Sequence, residues 1–322
     1  MSLTDPDAPS TGAQMPLDGP AGATAGGTPQ RAELACVVLA HDAPDQLHRL
    51  VRALDPLQVF LHIDARVPDA LHAEMTSGLP DRVTLVERVP TAWATFGAVR
   101  AELLAYEQVL ARSTATHVAW MAGSDYPLLS VDDLTDLLSG LLGTSIAHFT
   151  PLPHPAWGMS GGRGRLRYYH WAWRRHVIRL PIPRRIPADL VPAGGPVQKI
   201  LARHHVEALL RAAADRPELT RFWRRVWAPD ETFVATVMSS PSLVPDWADH
   251  HLHQLAWLID WRRRRTKGPP WLTLEHAEFL REAHRTVTTG VPPLFARKFH
   301  PQLSAELLDV VDELRAQPLG PR

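Results

Sequence analysis

The chain has 322 residues, 45% of them hydrophobic, and balances 34 Lys and Arg against 34 Asp and Glu. That length holds one sizeable α/β unit or two smaller domains, and zero formal charge gives no pull toward nucleic acid or an anionic membrane. A single cysteine, Cys36, excludes an intrachain disulfide and any multi-cysteine metal site, which fits a reducing cytoplasm.

Residues 1–32 are rich in Gly, Ala, Pro and Thr and lack both the basic start and the apolar core of a secretion signal, so a disordered leader is expected. No later run approaches the roughly 20 apolar residues of a membrane span, and the expected location is cytoplasmic. Lys199, Lys267 and Lys298 are the only lysines. Arginine in their place, with abundant Ala and Pro, points to a GC-rich bacterial source.

The first predicted strand is Leu34 to Ala40, a continuous apolar run of the kind buried on both faces. Pro44 to Leu54 places Leu47, Leu50, Val51 and Leu54 at helical spacing, and Asp55-Pro56 ends it. Val59 to Asp64 returns to strand, Pro68 to Met75 is a short helix and Val83 to Glu87 a third strand. Phe96 to Arg112 is a long amphipathic helix, His117 to Ala122 a fourth strand, Asp132 to Leu142 a helix and Ser145 to Phe149 a fifth strand. This alternation predicts an α/β fold with a mostly parallel sheet flanked by helices, in which ligands bind beyond the carboxyl ends of the strands.

Residues 150–196 are dense in Pro, Gly, Arg, Trp and Tyr without a sustained period, and are expected to form a long functional loop region. Helices are predicted at Val197 to Ala213, Glu231 to Met238, Leu274 to Ala283 and Gln302 to Arg315, with a strand at Leu255 to Trp261. Residues 317–322 form a tail.

Several chemistries lack their minimum parts. There is no Gly-x-Gly-x-x-Gly after the first strand and no phosphate loop ending in Gly-Lys-Ser/Thr. His204-His205 and His250-His251-x-His253 match no carboxylate or cysteine spacing of a zinc motif, so no structural metal is expected.

Three features carry positive signals. In Pro229-Asp230-Glu231-Thr232-Phe233, two carboxylates follow a proline; alone this reads first as a charged helix start and only second as a general base at a helix entrance. Asp64 ends a hydrophobic strand, where a carboxylate accepts from ribose hydroxyls or serves as a turn residue. Arg297-Lys298 is a basic pair inside the apolar frame Leu294-Phe295-Ala296-Arg297-Lys298-Phe299. An inward-facing cation there calls for an anion such as a diphosphate, whereas a solvated basic pair does not.

The order of these pieces is informative. Ala40-His41-Asp42-Ala43-Pro44, His62-Ile63-Asp64, Gly123-Ser124-Asp125-Tyr126-Pro127-Leu128, Pro229-Asp230-Glu231-Thr232-Phe233, Ile259-Asp260-Trp261 and Leu294 to Phe299 together resemble the core-2/I-branching glycosyltransferase family. That family includes β-1,6-N-acetylglucosaminyltransferases and peptide O-xylosyltransferases. The resemblance implies a single GT-A-type, Rossmann-like catalytic domain over residues 33–316, with a nucleotide-sugar half at 33–150 and an acceptor-binding and catalytic half at 151–316.

It further implies an inverting enzyme that takes a UDP-sugar, with GlcNAc or xylose favoured, and needs no divalent metal or other cofactor. The chain agrees in that its only Asp-x-Asp triplet, Asp5-Pro6-Asp7, falls in the leader. By the resemblance Glu231 is the catalytic base. Leu39, Ala40 and His41 cradle uracil, Asp64 meets the ribose and Asp125 lies beside the donor sugar. Lys298, with Arg297 and one of Lys267, Arg265, Arg281 or Arg285, neutralises the diphosphate.

The acceptor, a saccharide or small molecule, is assigned to Trp157, Arg163, Arg165, Tyr168 and Asp230, with Trp171 and Trp173 as further stacking faces. Gly195-Pro196-Val197-Gln198-Lys199 departs from the family's tryptophan-bearing element, which puts the usual mucin or proteoglycan acceptor in doubt. The alternative reading is a non-catalytic binding module whose basic loop meets an anionic partner.

Overall fold

The computed structural model describes residues 30–173, 176–261, 268–285 and 290–317, with the side chains of 172, 173, 284 and 285 excluded. Its central sheet has strands β1 (Leu34–Ala40), β2 (Gln58–Ile63), β3 (Val83–Leu85), β4 (His117–Ala122), β5 (Ser145–Ala147), β6 (Lys199–Ala202) and β7 (His251–His253). They lie in the order β7-β5-β6-β4-β1-β2-β3. All neighbours pair parallel except β6, which runs antiparallel to both β4 and β5.

The apolar run of β1 is central because both its faces are covered, as the absence of polar alternation predicts. Cys36 and Val38 pack into one hydrophobic cluster with Leu47, Leu50, Leu308 and Val311, while Ala35 and Val37 pack into another with Phe60, Tyr106, Val118 and Trp120. The period of two along the strand thus divides the core between helices on opposite faces. Burial pushes the Cys36 thiol up to about 12, so it is an inert packing group.

The helices follow their local signals. Pro44–Ala53 has Pro at its first turn, Asp45 near its amino end and Arg52 in its last turn, all favourable to the helix dipole. Val131–Ser139 is capped by Ser130, whose Oγ accepts from the Asp133 N–H at 3.1 Å. The carboxy-terminal helix Ala305–Arg315 is anchored by Arg49 to Asp312 at 2.7 Å and by the Tyr126 hydroxyl to Asp312 at 2.8 Å. No helix among the described residues is long and apolar enough to cross a membrane.

Beyond the carboxyl end of β4 a second sheet forms, in which Asp125–Pro127 pairs antiparallel with Phe295–Arg297 and the latter pairs parallel with Trp257–Ile259. The register sets Arg297 opposite Asp125, and the Phe299 N–H donates to the Ser124 carbonyl at 2.8 Å. Two motifs far apart in the chain are therefore one structural unit, and Lys298 follows directly from it.

Three segments differ from their sequence-based expectation. Val197 to Ala213 is not one helix: Lys199–Ala202 is fully buried strand and the helix starts at Arg203. Ile200 and Leu201 fit a helical apolar face equally well, and only insertion between β4 and β5 selects the extended form. Residues 150–196 are not structureless, because Tyr168–Trp173 and His176–Pro183 form an antiparallel hairpin and Thr150–Pro151 pairs with Ala193–Gly194. The helix expected at Glu231 begins instead at Phe233, after a single 3-10 turn at Pro229–Glu231. The short helix Pro217–Trp223 and strand β7 give no sequence signal that separates them from their surroundings.

Candidate active site

The carboxyl edge of the parallel strands gathers most of the residues singled out above. At the end of β1, the Ala40 carbonyl accepts from the Asp64 N–H at 3.0 Å and the Leu39 carbonyl from the Gly123 N–H at 2.9 Å. A Cβ on Gly123 would approach the Ala40 Cβ to 3.3 Å, so the loop after β4 lies close against β1. His41 is exposed and sits 3.5 Å from Asp42.

Asp64 is 1% exposed and its oxygens are heavily engaged. Arg66 donates from Nη2 to Oδ2 at 2.6 Å and from its backbone N–H to Oδ1 at 2.8 Å, while the Thr91 hydroxyl donates to Oδ2 at 2.6 Å. Burial alone would raise its pKa, but these hydrogen bonds outweigh it and hold the carboxyl well below the usual range. Arg66 is the half-exposed lid on this group; a ribose hydroxyl reaches Asp64 only where Arg66 yields.

Asp125 departs from the role expected of it. It is fully buried, accepts from the Trp257 indole N–H at 3.1 Å and the Ala122 N–H at 3.0 Å, and faces Arg297 at 3.6 Å. Burial raises its pKa, opposed by Arg297. A side chain with no exposed surface does not touch a donor sugar, so Asp125 is a positioning partner of Arg297.

Lys298 is partly exposed, with its Nζ 4.0 Å from the centre of the Trp271 ring. Burial lowers its pKa, reinforced by Arg297 and countered by Asp42 and Asp125. It is the accessible cation of the basic pair. Lys267 and Arg265 lie outside the described residues, and Arg281 pairs with Glu278 at 3.6 Å.

Glu231 reaches the same edge by a different route. Its carbonyl accepts from the Gly195 N–H at 3.0 Å, and Gly195 packs against His148, the residue after β5. Its carboxylate, 37% exposed, is paired with Arg165 Nη1. The Arg165 guanidinium lies between Trp157, at 3.8 Å to its ring centre, and Trp227, at 4.8 Å. A Cβ on Gly194 would come within 2.3 Å of the Trp157 ring, and Gly162, at φ +79°, would meet the same ring. Glycine at both positions is what lets Trp157 lie flat beneath Arg165.

Asp230 does not cap its turn: Ala228 occupies the cap position and no side chain caps it. Asp230 instead feels the buried pair of Lys199 and Glu102, which are 2.8 Å apart. Burial first, then repulsion from Glu231, push its pKa up to about 6. It stands half-buried beside Glu231.

Trp157 and Arg165 line a cavity of about 620 Å³ together with Ser160, His170, Arg179 and Trp227. Arg163 instead lines a separate cavity of about 590 Å³ with Arg167, Arg184 and Arg185, and Tyr168 lies beneath Arg179 at 5.3 Å. Of the acceptor assignments, the structure brings Trp157 and Arg165 to Glu231 and its neighbour Asp230, and leaves Arg163 and Tyr168 apart. Trp171 is exposed and covered on one face by Arg225 at 3.9 Å, and the Trp173 side chain is outside the described set. Trp227, His170 and Arg179 were missed; Trp227 adjoins the acidic motif, which was the one available signal.

A family model described as Core-2/I-Branching enzyme matches residues 34–281. Xylosyltransferase 2 of Homo sapiens and that of Canis lupus familiaris are each 26% identical to the chain over 326 aligned residues, covering 93% of it. The chain spans about a third (34%) of the length of these relatives. Among solved structures, HddC from Yersinia pseudotuberculosis complexed with GMP-PN overlaps 54% of this chain and 78% of its own at 13% identity, with a TM-score of 0.28, and nothing about the fold rests on it.

Proposed function

The chain belongs to the core-2/I-branching enzyme family, a family of glycosyltransferases, and from that premise we propose that it moves a sugar from a UDP-sugar to an acceptor hydroxyl with inversion. GlcNAc and xylose are the favoured sugars, the latter because the similar curated proteins are named xylosyltransferases. Glu231 acts as the base: its carboxylate takes the proton of the acceptor hydroxyl as that oxygen attacks the anomeric carbon from the face opposite UDP. The bond to UDP breaks as the new bond forms, and Lys298 beside Arg297 faces the negative charge that develops on the diphosphate. No divalent ion is invoked at the phosphates.

The observation that carries this reading is the convergence of Glu231 and Lys298. One is tied to the residues that follow β5, the other to those that follow β4, and both strands end on the same side of the sheet. Arg165, the partner of Glu231, lines an aromatic cavity suited to stacking a sugar ring. An incoming hydroxyl displaces Arg165 from the carboxylate, and the two tryptophan faces keep the guanidinium nearby.

The decisive measurement is transfer from a panel of UDP-sugars to mixed saccharide acceptors, with Glu231→Gln and with EDTA as parallel arms. Turnover in the wild type is expected to survive EDTA and to fall about 10² to 10⁴-fold in the variant. Loss of turnover on chelation ends the metal-free assignment. The cavity bordered by Arg163, Arg167, Arg184 and Arg185 favours the second reading, a module for an anionic partner; that reading requires steeply salt-dependent binding and indifference to Glu231→Gln.

A further inference from the structure

At the opposite edge of the sheet the structure gathers a second polar cluster. His204 and His205 open the helix Arg203–Asp215 where β6 ends, level with the first residue of β4. Asp246 reaches them from the segment leading into β7. His204 Nε2 is 3.2 Å from Asp246 Oδ2, and His205 Nε2 is 3.9 Å from Oδ1. One ligand atom from each of the three lies within 4.8 Å of the others.

The feature that needs explaining is His205. It is completely buried, yet its Nε2 has no hydrogen-bond partner. A separation of 3.9 Å from Asp246 is too long for a hydrogen bond, and a buried polar atom left without one is costly. On the other side of the ring, Nδ1 sits 2.7 Å from Ser145 Oγ, which also accepts from the Ala202 N–H at 2.8 Å. When the His205 Nδ1–H donates to this hydroxyl, Nε2 presents its lone pair toward His204 and Asp246. An oxygen that fixes the tautomer of a ligating imidazole is the usual outer support of a metal site.

Two imidazoles and a carboxylate are a donor set for zinc and its neighbours. Zinc–ligand distances of about 2.0 to 2.2 Å at a tetrahedral angle put two donor atoms about 3.3 Å apart. The His204 and Asp246 atoms already stand at 3.2 Å, and the His205 separation closes with a small side-chain movement. His250 flanks the cluster, but its Nδ1 donates to the Asp246 carbonyl at 3.3 Å.

We propose that His204, His205 and Asp246 bind one divalent zinc-class ion, with solvent in the fourth position. The ion joins the start of the helix Arg203–Asp215 to the segment that leads into the edge strand β7, and so serves the fold rather than sugar transfer. It lies at the amino ends of β4 and β5, whereas Glu231 and Lys298 lie at their carboxyl ends.

The test uses the full chain without a histidine tag, stripped by chelator and titrated with Zn²⁺ by calorimetry and with Co²⁺ by visible absorption. One high-affinity equivalent is expected, with the intense absorption of a low-coordinate Co²⁺ and a rise in melting temperature on Zn²⁺ addition. His204→Ala and Asp246→Asn, both at partly exposed positions, should each weaken binding at least about tenfold, and Ser145→Ala by about 10 to 100-fold through the lost outer support. Absence of a stoichiometric site overturns the proposal. So does zinc binding that His204→Ala and Asp246→Asn leave unchanged, because the ion then sits on other histidines. Chelation should lower the melting temperature while leaving sugar transfer at permissive temperature intact, which separates this site from the metal-free reading of catalysis.

Discussion

Two sets of carboxylates stand at the carboxyl edge of this sheet, and they have opposite characters. Asp64 and Asp125 are 1% and 0% exposed, with oxygens held by Arg66 and Thr91 in one case and by Trp257, Ala122 and the field of Arg297 in the other. Glu231 is more than a third exposed and shares its carboxylate with one arginine whose guanidinium lies between two tryptophans. A carboxylate sealed from solvent among its protein partners positions those partners. A half-exposed one held by a single cation keeps the open face that the proposed base requires. The comparison assigns roles by environment, where residue type alone treats all three acids alike.

Exchanging the two characters is the strongest way to break this comparison. Glu231→Gln should remove about 10² to 10⁴-fold of turnover with little change in melting temperature, since the side chain is partly solvated. Asp125→Ala should do the reverse in kind: it leaves Arg297 without its counterion and costs about 3 kcal/mol of stability, read by urea unfolding. If Asp125→Ala unfolds like wild type but abolishes transfer, the buried acid is not a positioning group.

The next test concerns the acid beside Glu231. Asp230 has a folded pKa of about 6, above its unfolded value, so the folded state holds the extra proton between about pH 4 and 6. Stability contributed by this group is therefore present at the low end of that window and lost as pH rises through it. Wild type should lose roughly 2 kcal/mol relative to Asp230→Asn across the window. Parallel pH–stability curves for the two proteins contradict the raised pKa of Asp230.

Two smaller effects sharpen the donor side. Lys298→Ala should weaken UDP binding about tenfold or more, the worth of a charge-assisted contact, with no comparable effect on acceptor affinity. Arg66→Ala should change stability by less than about 1 kcal/mol, because Arg66 is half exposed and its pair with Asp64 is screened. The same variant should alter UDP affinity, as it uncovers the Asp64 carboxylate; unchanged affinity removes Asp64 from the nucleotide site.

Much of this was legible in the chain itself. The apolar runs of β1, β2 and β4 and the spacing of Leu47, Leu50 and Val51 are local patterns, and burial on two faces or one stripe leaves them directly in the sequence. The ordered motifs around Asp64, Asp125, Glu231 and Lys298 identified the family for the same reason: each is a short strand end or turn with its own chemistry. Strand β6 was hidden because its four buried residues continue into a helix with a compatible apolar spacing.

What only the tertiary structure decided is which polar groups are free and which are held. The pairing of Arg165 with Glu231, the burial of Asp125 against Arg297 and the approach of Asp246 to His204 and His205 each join residues far apart in the chain. Periodicity reports the environment of a residue's own segment. It carries no information about which distant side chain will meet it, and it is that meeting which separates a half-exposed carboxylate from a buried strut and a bare histidine pair from one joined by a carboxylate.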